Sequence, residues 1–218
     1  MRVFQIGAAG GVGRRVARLL TDGGHQATGM HRRPEQAEVV TGAGATPVAG
    51  DLIADTVDTL ARRISGHDAV VFSAGAHGTG LDQTSAIDGA GLEKAADAAA
   101  LAGVERFVLV SAFPEAWRER ERRAGFEHYI RVKKEADAYL AATDLDWIIL
   151  RPGDLLDTAG TGRVHAAPAV RYGSVPRDDV AAFIVASLPE PGLGRAIVEL
   201  TSGPTPVADA VARLAGRR

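Results

Sequence analysis

Tyr129-Ile-Arg-Val-Lys133 sets a phenol and an ammonium four residues apart, a spacing that puts both on one face of a helix. A free tyrosine has a pKa near 10, and a neighbouring ammonium favours its phenolate. Such a tyrosine passes a proton to a carbonyl oxygen as hydride arrives at the carbon. Lysine is otherwise confined to Lys94 and Lys134. Ser111 closes the apolar run Arg106–Ser111. There its hydroxyl either polarises a carbonyl or satisfies the backbone at a strand end.

These groups need a scaffold, and the chain opens with one. The apolar run Arg2–Ile6 leads into Gly7-Ala-Ala-Gly10-Gly-Val-Gly13 and then a helix-like run to Leu20. Strand, glycine-rich turn and helix together form the entry to a dinucleotide-binding fold. Gly7 allows the tight turn, Gly10 the approach of a pyrophosphate, and Gly13 close helix-to-sheet packing. The helix N-terminus offers free N–H groups and the positive end of its dipole. Gly7, Ala9, Gly10, Gly11, Val12 and Gly13 are therefore the expected phosphate-side contacts.

The second predicted strand, Gln26–Met30, ends in His31-Arg32-Arg33-Pro34. An NAD-specific fold places an acidic residue at this tip, to bind the ribose 2′-hydroxyl. Two arginines stand there instead, and guanidinium groups suit a 2′-phosphate. The expected cofactor is NADP(H), with Arg32 the stronger candidate and Arg33 beside it. After the third strand, Asp51 either accepts from the adenine amino group or caps a helix, while the Leu52 N–H faces the ring. Ala74 and Gly75 follow the fourth strand and are small enough for the cofactor to lie against their backbone. Lys133 also holds the nicotinamide ribose in this reading, and Pro152 in Arg151-Pro152-Gly153 ends a strand beside the nicotinamide.

Strand candidates are Val3–Ile6, Gln26–Met30, Thr46–Ala49, Ala69–Ser73, Arg106–Ser111, Trp147–Arg151 and Ala196–Leu200. Between them lie helix candidates Val12–Asp22, Glu35–Thr41, Asp55–Ile64, Gln83–Leu101, Tyr129–Ala142 and Asp178–Leu188, with a last one at Val207–Ala215. This alternation predicts an α/β, Rossmann-like, doubly wound and mostly parallel sheet of about seven strands with helices on both faces. One domain is expected over residues 1–218, its substrate pocket built from loops and the 154–176 segment. The mixed-charge run Arg118-Glu-Arg-Glu-Arg-Arg123 reads as a solvated helix or loop, or as a flap over the site. The cluster at Arg177-Asp-Asp179 reads as structural support for a helix N-terminus.

Composition narrows the classes. Of 218 residues, 46% are hydrophobic and 24% charged, and the net charge is −2, so nothing draws the chain to nucleic acid or acidic membranes. There is no cysteine, which excludes disulfides and thiolate chemistry. The six histidines show no metal-ligand spacing; His77 and His128 are placed to line a pocket. With no signal peptide or membrane span, a cytoplasmic protein is expected, as a monomer or homodimer.

The sequence resembles the atypical short-chain dehydrogenase/reductases, the NAD(P)-binding group with NmrA-like and biliverdin-reductase-B-like members. The likeness is carried by Gly7-x-x-Gly10-x-x-Gly13, Arg32-x-Pro34, Gly50-Asp51-Leu52, Lys133-x-x-x-Asp137, Leu145-Asp-Trp-Ile-Ile-Leu-Arg-Pro-Gly153 and Arg177-x-Asp179-Val-Ala181. It implies NADP(H) binding and reductase activity, with Ser111, Tyr129 and Lys133 matching the superfamily's catalytic set. The expected reaction is reduction of a small carbonyl or quinone-like compound. The alternatives are a non-catalytic NADP(H)-binding redox sensor and an epimerase or dehydratase that recycles its cofactor internally.

Overall fold

In the computed structural model, residues 1–76, 78–116 and 124–216 are described; His77 and the run 118–123 lie outside them. The first half alternates strictly, as β1 (Arg2–Ile6), α1 (Gly13–Asp22), β2 (Gln26–His31), α2 (Gln36–Gly42), β3 (Thr46–Ala49), α3 (Val57–Ile64) and β4 (Ala69–Phe72). A short α4 (Leu81–Thr84), a π-helical stretch Ser85–Ala90 and α5 (Gly91–Leu101) follow as one continuous rod. Then come β5 (Arg106–Val110), α6 (Ala124–Ala141), β6 (Asp146–Pro152), β7 (Asp154–Leu156), β8 (Arg163–Ala167), β9 (Ser174–Pro176), α7 (Arg177–Ser187), β10 (Ala196–Ser202), β11 (Thr205–Pro206) and α8 (Val207–Ala215).

The main sheet runs β11-β8-β10-β6-β5-β4-β1-β2-β3. All pairs from β10 to β3 are parallel, while β8 runs antiparallel to both β10 and β11. The sheet thus has nine strands where about seven are expected from sequence. The additions come from the 154–176 segment and the Thr205–Pro206 bridge. Their strands are too short, and too rich in Gly, Ala and Pro, to carry a period-two signal. β7 and β9 pair separately as a two-stranded parallel ribbon.

Period two explains the two-sided core. Val3, Val71, Val108 and Ile148 face the cluster built with α1, α7 and α8. Their neighbours Phe4, Phe72, Phe107 and Ile149 face the cluster built with α3, α5 and α6. Every one of these side chains is fully buried, and each contributes about 1.5–3 kcal/mol of hydrophobic stabilisation. A sheet sealed on both faces leaves its carboxyl edge as the place for a ligand.

That edge opens where strand order reverses, since β1 has β2 on one side and β4 on the other. The glycine turn fills this crevice. Gly7 has φ +90°, and a Cβ there would stand 2.5 Å from the Ala74 nitrogen. A Cβ on Gly13 would lie 2.2 Å from the Gly7 carbonyl oxygen. Gly13→Ala therefore forces the α1 N-terminus away from the turn. It is expected to cost about 1–3 kcal/mol and to lower the melting midpoint by about 5 °C. A calorimetric midpoint equal to the wild type's contradicts this account of the turn.

Candidate functional site

Two cavities meet at Ser73-Ala74-Gly75, beyond the end of β4. The first, about 340 Å³, runs over the β1 and β2 tips and is lined by Gly7, Ala9, Gly10, Arg32, Asp51 and Leu52 among others. The second, about 660 Å³, is lined by Gly11, Val12, Asp88, Ser111, Tyr129 and Lys133 among others. A third of about 230 Å³ shares Ser111 and Tyr129 with the second and adds Phe113, Pro152 and Tyr172. Together they form a trough long enough for a dinucleotide, with a substrate-sized end.

At the first cavity, Arg32 lies on the wall. Arg33 does not; its guanidinium pairs with Glu35 at 3.1 Å, both well exposed. Gln36, which sequence reasoning passed over, also lines the cavity, and its Oε1 accepts the backbone N–H groups of Arg32 and Arg33 at 3.2 and 3.0 Å. It fixes the tip of β2 from one helical turn away. Asp51 Oδ1 accepts from the Ile53 N–H at 2.8 Å, so the carboxylate caps its own turn while still lining the cavity. Lys94 Nζ donates to three carbonyls of this loop, those of Leu52, Ile53 and Asp55, at 2.6–2.9 Å.

The second cavity carries the polar chemistry. Ser111 follows β5, and its Oγ donates to Asp137 Oδ1 at 2.5 Å. The other carboxylate oxygen accepts from Arg151 Nε at 2.9 Å. Burial raises the pKa of Asp137 against the opposing pull of Ser111, Arg151 and Lys133. Lys133 is 3% exposed; its Nζ donates to the Val110 carbonyl at 3.0 Å and stands 3.7 Å from Asp88 Oδ1. Asp88, itself 2% exposed, also accepts the Ala76 N–H at 3.0 Å. It sits on the π-helical stretch, a local widening of the kind often found at functional sites.

Tyr129 lies on α6 one turn before Lys133, as the spacing predicts. Its ring packs on Phe126, centroids 6.0 Å apart. Its phenol is held well above the ordinary tyrosine value, first by burial and then by the charges of Asp88 and Asp137. This reverses the expected influence of Lys133, whose ammonium is engaged by Asp88 and the Val110 carbonyl instead. The side chain is thereby kept as a neutral acid.

The structure thus gathers Ser111, Tyr129 and Lys133 around one cavity and the glycine turn around its entrance. Pro152 stands at the third cavity, on the far side of Ser111. His128 is bound to Ser85 Oγ at 3.0 Å on the exposed surface and does not line these cavities. Sequence reasoning missed Asp88, which sits four residues after buried Thr84 and four before buried Leu92, on the inner face of the helical segment. Asp137 has a sequence signal, at four residues beyond Lys133.

Comparison with known proteins identifies the family and the fold. A family model described as NAD(P)H-binding matches residues 7–191. The Bacillus subtilis protein named "uncharacterized sugar epimerase YhfK" is 40% identical over 98% of this chain and all of that protein. Among solved structures, the oxidoreductase ylbE of Lactococcus lactis is 28% identical with TM-score 0.86, covering 98% of this chain and 96% of that one. ChuY of Escherichia coli O157:H7, an anaerobillin reductase, is 26% identical with TM-score 0.79, covering 94% of this chain and all of that one.

Proposed function

This chain belongs to the NAD(P)H-binding family of atypical short-chain dehydrogenase/reductases, and from that premise we propose that it is an NADPH-dependent reductase of a small carbonyl or quinone-like compound. The observation that carries the reading is Tyr129. It is a phenol on the wall of a cavity that it shares with Ser111 and the buried Lys133 and that continues into the glycine-turn crevice. Burial and the charges of Asp88 and Asp137 favour its neutral form, the form that gives a proton to a reduced carbonyl.

The residues present fit the cofactor. A Cβ at Gly7 would meet the Ala74 backbone and one at Gly13 the Gly7 carbonyl, so the tight turn needs both glycines, and Gly7 and Gly10 present bare backbone to the cavity. The first turn of α1 carries no acid and no side-chain cap, which leaves its positive end to a phosphate. No carboxylate stands at the β2 tip, and Arg32 is there to take a 2′-phosphate. NADPH, when bound, supplies hydride. The chain then does the rest. Tyr129 gives its proton to the developing alkoxide or phenoxide oxygen. Ser111, whose one proton rests on Asp137, fixes the position of that oxygen when it turns the proton from the carboxylate to it, and the buried Lys133 orients the ribose.

The assignment is tested by following NADPH absorbance with a panel of aldehydes, ketones and quinones. Stoichiometric oxidation with at least one member supports the reductase. The likeness to a protein named as a sugar epimerase favours one second reading, an enzyme that recycles its cofactor internally. That reading predicts no net consumption with any member, and conversion of a nucleotide sugar instead.

A further inference from the structure

Arg177 opens α7 and belongs to the group Arg177-Asp178-Asp179, which reads from sequence as support for a helix end. Its side chain does something else. The aliphatic Cδ and the Nε both lie 2.9 Å from where a Cβ on Gly11 would stand, so the guanidinium stem is laid across the phosphate-side turn. Arg177 lines the large cavity together with Gly11 and Val12. Its Nη1 donates to the Leu155 carbonyl at 3.1 Å and pairs with Asp157 Oδ2 at 2.9 Å. Asp157 is 70% exposed on the loop after β7, and its other oxygen lies 3.5 Å from Arg15 Nη2. Arg15 in turn donates to the Gly11 carbonyl at 2.7 Å and to Asp178 at 2.6 Å.

An exposed carboxylate thus sits between two guanidiniums beside the turn, where the α1 N-terminus already favours a negative charge. An exposed ion pair of this kind is worth little by itself. A diphosphate offers the same guanidinium more acceptor oxygens and more charge. We propose that Arg177 is a binding residue for the cofactor's diphosphate, and that Asp157 occupies its guanidinium until the dinucleotide displaces it. The proposal rests on the NADP(H) reading above. It adds a cationic contact in the second cavity, apart from Arg32 in the first, which serves the 2′-phosphate. It also couples binding to the 157–162 loop, because Asp157 must let go.

The test is equilibrium titration of wild type, Arg177→Met and Asp157→Asn with two probes, NADPH and adenosine 2′-monophosphate. The second probe has the 2′-phosphate but neither phosphate of the diphosphate. Methionine keeps the stem over Gly11 while removing the charge. Arg177→Met is expected to weaken NADPH by about 10–100-fold and to leave adenosine 2′-monophosphate within about twofold. Asp157→Asn, a surface change, is expected to tighten NADPH about threefold. NADPH affinity unchanged in Arg177→Met overturns the proposal, as does an equal loss for both probes, which would mark a general loss of structure. If Arg177→Met does not fold, Asp157→Asn decides alone, and unaltered or weaker NADPH binding in it overturns the latch. A wild type that binds neither probe instead removes the NADP(H) reading on which the proposal stands.

Discussion

Replacing Tyr129 with Phe is expected to lower turnover about 10²–10⁴-fold, the usual worth of a positioned general acid, while NADPH affinity stays within about twofold. The substitution deletes one oxygen and leaves the ring on Phe126, so the fold and the cofactor crevice are undisturbed. Wild-type turnover in this variant removes Tyr129 from the mechanism. The electrostatics add a pH signature. Burial and the charges of Asp88 and Asp137 hold the phenol above the value near 10 that it has in the unfolded chain. Between those two values the folded state keeps a proton that the unfolded state has released, so stability falls as pH rises past about 10. Below that pH the group contributes no slope. Tyr129→Phe should flatten part of the alkaline fall in a denaturant series, while Tyr139, raised to about 12 chiefly by its bond to Asp97, keeps the remainder. In the reductive direction the acid stays loaded through neutral and mildly alkaline pH, and the rate limb due to it lies above about 10.

Lys133→Met is expected to be the most damaging single change to both stability and binding. The ammonium is 3% exposed and faces Asp88, 2% exposed, at 3.7 Å. Deleting it strands a buried carboxylate, a loss of about 3–5 kcal/mol in comparable buried pairs. It also frees the Val110 carbonyl at the end of β5, next to Ser111. Chemical denaturation should show the loss, and NADPH titration of whatever remains folded should show weaker binding. The pair Lys133→Met with Asp88→Asn isolates the cause. If the stranded charge is responsible, the second substitution recovers part of the stability. A double variant no more stable than Lys133→Met puts the damage elsewhere, in packing.

The outline of this molecule is written in local pattern. Glycine spacing, the 3.6 and 2.0 periods, and arginines in place of an acid at the β2 tip all lie within short stretches, and they locate the fold and the crevice. Tyr129 and Lys133 share a helix, so their partnership around one cavity is legible as well. What escaped is long-range or irregular. Asp88 lies in a π-helical stretch and is buried, and a carboxylate on the inner face of a helix has no partner that short-range pattern can name, since Lys133 lies on another helix. Asp88 engages Lys133, while burial first, and then the charges of Asp88 and Asp137, raise the Tyr129 phenol. Nearness to the strand ranks Arg32 ahead of Arg33 in the sequence, but only the fold pairs Arg33 with Glu35 and sets Gln36 to hold the backbone of both. Arg177 lies 166 residues from Gly11 along the chain, and only the folded α7 carries its side chain across the turn.

The central claim, that the crevice takes NADPH through Arg32 and the glycine turn, is tested most directly by equilibrium titration of the protein with NADPH and with NADH, followed by nicotinamide emission. Tight NADPH binding with NADH weaker by about 10–100-fold is expected, the worth of charge-assisted bonds to one phosphate. Equal affinities contradict the 2′-phosphate role of Arg32, and no binding of either contradicts the reductase itself.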